Sequence, residues 1–190
     1  MSLEAAWAHI LNPGQEKLNL EVSALGVMAN GEVDEKIASR PYRFHYSVLC
    51  DPDWNLKQLT VERIGHPTTG ITLFTDGRGR WYNAACEELK ALEGCSDMEL
   101  SASAFTNTIP IRRLDLSENE RAELRVAFVD AYTLGVGVSQ QRYTCLRRGE
   151  SESAYFYEGL ATGIRVEIKV DADGLVLDYP NVFRRNLERG

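Results

Sequence analysis

Nowhere do apolar residues run unbroken for the roughly 18 to 20 positions a helix needs to cross a bilayer. The first ten residues, Met1 to Ile10, lack a basic stretch followed by an apolar one. Together these absences set the expectation of a cytoplasmic product without a transmembrane segment. Basic charge is also short, with 21 Lys and Arg against 28 Asp and Glu and a formal net charge of -7. No overall field therefore draws in nucleic acid, which is not expected as a partner. The four cysteines, Cys50, Cys86, Cys95 and Cys145, form no CxxC pair, and His9, His45 and His66 stand singly. Clustered metal-ligand spacing is missing, and reduced structural thiols are expected. The chain contains no GxSxG, HExxH, GxxxxGK or post-strand GxGxxG. Chemistry that depends on those motifs is excluded, and no cofactor or metal is expected.

What the sequence has is alternation. Ile164, Val166, Ile168 and Val170 are separated by Arg165, Glu167 and Lys169. Tyr42, Phe44, Tyr46 and Val48 alternate with Arg43, His45 and Ser47, and Leu18, Leu20 and Val22 with Asn19, Glu21 and Ser23. A period of two puts one set on a covered face and the other in water, the mark of half-buried antiparallel strands. Asp76-Gly77-Arg78-Gly79 and Asp171-Ala172-Asp173-Gly174 lie between such runs and predict hairpins. Asp51-Pro52-Asp53, and Pro67 with Gly65 and Gly70, predict further reversals, and Gly135-Val136-Gly137 reads as a bulge or close backbone approach. Helix is scarce. The strongest start signal is the capping box Ser117-Glu118-Asn119-Glu120, which predicts a helix from about Glu118 to Glu123. A weaker single turn is read over Cys86 to Glu93, with Gly94 as its stop. With 44% hydrophobic residues and no linker or repeat, residues 1–190 are read as one domain. The fold class is mainly β: roughly ten strands in a large antiparallel curved sheet, barrel or roll with about one short helix.

Polar chemistry concentrates between Gly94 and Leu114. If Asp97 to Ser101 is a strand, Asp97 and Glu99 share a face about 7 Å apart, opposite Met98 and Leu100. That face either meets water or points inward. An inward pair needs cationic or hydroxyl partners, which Arg112 or Arg113 would supply; on a strand, only one of two adjacent arginines joins. Thr106, Asn107 and Thr108 add groups that donate and accept hydrogen bonds, suited to a sugar or polar head group, or else they cap a turn before Pro110. Paired carboxylates are also the equipment of a glycoside hydrolase. Trp81, Tyr143, Tyr155, Tyr157 and Tyr179, with Phe156 and Phe183, are either core or the wall of an amphiphile site, since tyrosine joins an apolar ring to a polar tip. Arg184, Arg185 and Arg189 read as a solvated end.

Over most of its length the chain resembles a family of bacterial proteins described as glycolipid-binding. The resemblance is carried by Gly94-Cys95-Ser96-Asp97-Met98-Glu99-Leu100, Thr106-Asn107-Thr108-Ile109-Pro110-Ile111-Arg112-Arg113-Leu114, Gln141-Arg142-Tyr143, Tyr155-Phe156-Tyr157 and Asp173-Gly174-Leu175-Val176-Leu177-Asp178-Tyr179-Pro180. The Thr-Asn-Thr-x-Pro-x-Arg-Arg stretch is its most specific part. Where the family has Asp-x-Asp this chain has Asp97-Met98-Glu99, and Ala104 stands where proline is usual. The resemblance implies a spiral β-roll with a single helix, similar in shape to bacterial lipoprotein carriers that hold acyl chains.

The reading is a non-catalytic binder of a lipid or glycolipid on a concave apolar surface. Asp97, Glu99, Thr106, Asn107, Thr108, Arg112 and Arg113 are its head-group candidates, and Trp81, Tyr143, Tyr155, Tyr157 and Tyr179 its wall. A carboxylate-pair hydrolase and a protein-interaction β domain are the alternatives.

Overall fold

A computed structural model describes residues 1–65 and 69–186. The reversal expected at Pro67 and the end residue Arg189 lie outside the described residues. Strands fill most of the chain: β1 (Ser2–His9), β2 (Gly14–Ser23), β3 (Gly26–Ile37), β4 (Arg40–Cys50), β5 (Leu56–Arg63), β6 (Gly70–Thr75), β7 (Trp81–Asn83) and β8 (Asp97–Leu100). After the helix α1 (Thr108–Leu114) come β9 (Arg121–Val129), β10 (Val136–Arg147), β11 (Glu152–Gly159), β12 (Arg165–Asp171), β13 (Val176–Tyr179) and β14 (Phe183–Arg185). Among the described residues no helix is long and apolar enough to cross a membrane.

The fourteen strands of the described residues join one curved sheet in the order β7-β6-β5-β4-β3-β2-β1-β14-β13-β12-β11-β10-β9-β8. It consists of two meanders stitched by the antiparallel pairing of the first and last strands, with Trp7 opposite Arg185 and His9 opposite Phe183. Every pair is antiparallel except β8 with β9. The expected alternation is what curves one face inward: Leu18, Leu20, Ile168 and Val170 are buried while Lys17, Asn19, Glu167 and Lys169 are exposed. The expected ten strands become fourteen because β7, β8, β13 and β14 are three or four residues long, too short to show a period. The two edges come back toward each other: Trp81 Nε1 donates to the Cys95 carbonyl at 2.9 Å, and Gly94 N–H donates to the Gly79 carbonyl at 2.9 Å.

Both expected hairpins form, and by the same device. Asp76 Oδ1 accepts from the amides of Arg78 and Arg80, and Asp171 Oδ1 from those of Asp173 and Leu175. Gly77 (φ 71°) and Gly174 (φ 78°) take the left-handed angle.

The helix is not where the capping box put it. Ser117 N–H does donate to Glu120 Oε2 at 2.8 Å, but the pair closes a turn, and strand β9 starts at Arg121. Beyond Glu120, Leu124 and Val126 are buried between exposed Arg121, Glu123 and Arg125, so a period of two overrides the local cap. Helix forms instead over Thr108–Leu114, led by a 3₁₀ turn at Phe105–Asn107. Pro110 sits in the first turn, where its missing N–H has no intrahelical acceptor to lose. Asp115, left-handed at φ 45°, ends the helix. The turn expected over Cys86 to Glu93 shrinks to a 3₁₀ turn at Lys90–Leu92.

The pairing places the 51–55, 148–151 and 172–175 turns at one end of the roll. The segment 101–114 crosses the concave space, and its carboxyl end emerges beside those turns.

Candidate functional site

The concave face carries its own occupant. Phe105 and Ile109 are fully buried, and the Phe105 ring stacks on Tyr46 of β4 with centroids 6.5 Å apart. Glu16 of β2, also fully buried, accepts from Tyr46 OH at 2.5 Å, Ser103 Oγ at 2.6 Å and Ala104 N at 2.7 Å. Across the roll, Tyr143 OH of β10 donates to Asn107 Oδ1 at 3.0 Å. Residues 103–109 thus span from the β2–β4 wall to β10. A ligand surface on the bare concave sheet, the arrangement expected from the sequence, is occupied by this segment.

Asp97 and Glu99 do lie on strand β8 and both turn inward, each to a different partner. Asp97 is fully buried and takes a two-pronged grip from Arg113, Nε to Oδ1 at 3.0 Å and Nη2 to Oδ2 at 2.6 Å, with Ser96 Oγ donating at 2.6 Å. Glu99 accepts from Gln141 Nε2 at 2.6 Å, and burial pushes its carboxyl up to about 7 against the lowering effect of that bond. Met98 and Leu100 are also buried, so the strand is covered on both faces. Arg112 and Arg113 are helical neighbours, not residues on opposite strand faces, yet only Arg113 reaches the acids. Their separation comes from the 100° step of a helix.

The remaining candidates are mostly structural in their contacts. Thr106 Oγ1 donates to the Ser103 carbonyl and accepts from Leu100 N, and Asn107 Nδ2 donates to the Ala104 carbonyl. Thr108 Oγ1 is buried without a partner among the described residues. Tyr143, Tyr157 and Tyr179 form a packed row, centroids 5.3 and 6.0 Å apart, and burial raises all three hydroxyls well above the ordinary tyrosine range. Trp81 is buried in the seam between the sheet edges. Arg185, expected in solvent, is half-buried over the Trp7 ring at 4.9 Å, with Asp171 3.7 Å away.

Open space appears at the end of the roll where α1 terminates. A cleft of about 520 Å³ lies between the 51–55, 148–151 and 172–175 turns and is lined by Trp54, Arg112, Arg113, Arg148, Tyr155 and Asp171, among others. Arg112, Arg113 and Tyr155 were legible as candidates; Trp54 and Arg148 were not, because isolated residues in turns carry no pattern. Arg148 is held by Asp115 and donates to the Asp115 and Leu116 carbonyls. Arg112 lies over the Trp54 ring, 5.3 Å from its centroid. A second groove of about 530 Å³, on the outer face, runs over Asn19, Asn30, Ser47 and Thr60.

At the opposite end, His9 Nδ1 approaches Glu35 Oε1 at 3.5 Å, and Tyr132 OH also donates to Glu35. Burial acts on Glu35 most strongly and upward, but the bonds from His9, Tyr132 and Asn12 outweigh it and its carboxyl lies below the usual value. Scattered singly in sequence, these residues meet only through the register His9–Gly14–Glu35.

Residues 4–185 match the family described as "Putative glycolipid-binding". The chain belongs to this family. A solved DUF1089 family protein from Pseudomonas aeruginosa is 34% identical to this family member, with a TM-score of 0.77 covering 90% of this chain and 92% of its own. A β-barrel-like protein of the unknown-function family DUF1849 from Brucella abortus shares the fold at 10% identity, with a TM-score of 0.56 over 97% of this chain and 92% of its own. Among curated proteins none matches.

Proposed function

We propose that this chain binds an amphiphile of the glycolipid class without transforming it, and that the polar head sits in the end cleft. The observation that carries the reading is the lining of that cleft: guanidinium groups of Arg112, Arg113 and Arg148 beside the aromatic Trp54 and Tyr155. Aromatic faces and fixed donors are the mixed chemistry that sugar rings and head-group oxygens need. The family's description supports a glycolipid as the ligand class, and the filled concave face favours a head-group position at the end of the sheet over one in its interior.

The hydrolase alternative loses support from the same geometry. Asp97 is spent on Arg113, and neither Asp97 nor Glu99 borders the cleft. An acid and a base need access to one bond.

Native mass spectrometry of the purified protein, followed by organic extraction, tests the reading. A co-purifying amphiphile released unchanged is the expected result. Turnover of a glycoside that disappears in both Asp97→Asn and Glu99→Gln variants would overturn it.

A further inference from the structure

The cleft's three arginines are not equivalent. Arg113 is committed to Asp97 and Arg148 to Asp115. Arg112 is exposed and, among the described residues, makes no ion pair and no side-chain hydrogen bond. Its position is nevertheless built by two neighbours. Gly174 forms its seat, since a Cβ there would come within 2.9 Å of Arg112 Cδ. Trp54 forms its floor, with the guanidinium carbon 5.3 Å from the ring centroid. Trp54 holds φ 64°, a left-handed angle that a bulky side chain rarely adopts, and is nonetheless buried. Strain of this kind persists where the surroundings enforce it and gathers at ligand sites. The enforcing contacts are local: Trp54 N donates to the Asp51 carbonyl, and Asp51 Oδ1 accepts from Asp53 N and Asn55 N.

A cation held over an aromatic ring keeps its N–H donors unspent, and those of a guanidinium form a fork that matches two oxygens of a phosphate or carboxylate. The acids of the cleft do not consume it. Asp115 is engaged by Arg148, Asp171 by Arg185 and two backbone amides, and Asp53 stays exposed without an ion pair among the described residues.

We propose that Arg112, fixed over Trp54 and seated on Gly174, is an oxyanion receptor that makes the cleft select an anionic head group over a neutral one. This deepens the function proposed above and rests on it for the amphiphile, though not for the anion.

Dodecyl phosphate and dodecyl maltoside, both below their micelle concentrations, separate charge from chain length because the tail is the same. Binding to the full chain is read by native mass spectrometry and by tryptophan fluorescence, with Trp54→Phe as the control for the reporting ring. Dodecyl phosphate is expected to bind at least about 10-fold more tightly, as a charge-assisted contact allows. Arg112→Gln should erase that preference at unchanged thermal stability, Arg112→Lys should restore part of it, and Asp53→Asn should strengthen only the phosphate. Inorganic phosphate distinguishes the source of the anion. If it binds in an Arg112-dependent way while neither dodecyl compound does, the oxyanion receptor stands and the amphiphile reading falls. Equal binding of the two dodecyl compounds overturns the receptor and leaves the amphiphile; no binding of any of the three overturns both.

Discussion

The ring of Tyr46 occupies the place a side chain on Gly31 would take: a Cβ added at Gly31 would overlap its ring carbons Cε1 and Cζ. The two residues face each other in the β3–β4 register. The ring cannot easily move away, because its hydroxyl is held by Glu16 and its face by Phe105. Gly31→Ala should therefore destabilise the protein by about 1 to 3 kcal/mol or more, an overpacking cost, although alanine suits a strand better than glycine does. Urea unfolding measures this, and an unchanged midpoint would show that the ring can give way.

Glu16 is the pivot of the same cluster. Glu16→Ala would leave Tyr46 OH, Ser103 Oγ and Ala104 N without their acceptor in the interior, at about 1 to 3 kcal/mol for each group that finds no water. Tyr46→Phe removes only one bond and should cost less. Hydrogen exchange should show the Glu16→Ala loss concentrated in residues 103–111, the segment this carboxylate ties to the wall. Burial raises the Glu16 carboxyl, partly offset by the bonds from Ser103, Tyr46 and Ala104.

The outward half of this architecture is legible in the sequence, because alternation such as Leu18–Leu20 or Ile168–Val170 reports a strand with one wet face. The two Asp–Gly hairpins are legible for the same local reason. The helix at Thr108–Leu114 is not, since its first four residues, Thr108, Ile109, Pro110 and Ile111, are all buried and its seven residues are too few for Arg112 and Arg113 to set a period. The capping box at Ser117 misleads because its bonds also close a turn. At the site, Asp97 with Arg113 could be paired by charge logic, but Trp54, Arg148 and Glu16 could not. Each acquires its meaning from residues brought near only by the sheet's order.

Glu99 gives the fold a pH dependence of defined sign. Its folded value of about 7 lies above the ordinary 4.5, so the folded state holds this proton more tightly than the unfolded state. Stability from this group is greatest below pH 4.5, falls as pH rises through the interval up to about 7, and is then lost. The full span is about 3 kcal/mol, less to the extent that solvent screens the charge. Glu99→Gln should flatten that portion of the profile and unfold later than wild type at pH 8. Chemical denaturation of both proteins at pH 5 and pH 8 provides the comparison, and a parallel pair of profiles would mean that Glu99 stays ionised throughout.

Asp97 and Arg113 should behave as a coupled pair. Their contact is two-pronged, with the carboxylate side chain 1% and the guanidinium 19% exposed, so water can replace little of it. Arg113→Ala leaves a buried carboxylate with Ser96 as its remaining side-chain donor, and should cost about 3 to 5 kcal/mol. Asp97→Asn keeps the shape, removes the charge and retains an acceptor for one prong, so its cost should be smaller. Because the penalty of Arg113→Ala comes chiefly from the stranded charge, Asp97→Asn in that background should recover stability instead of adding to the loss. The neighbouring Arg112→Gln, which strands nothing, should leave the unfolding midpoint within about 0.5 kcal/mol of wild type. A double-mutant cycle by urea unfolding decides the matter: additive losses would show that the two residues act independently and that the inward carboxylate is supported by something other than Arg113.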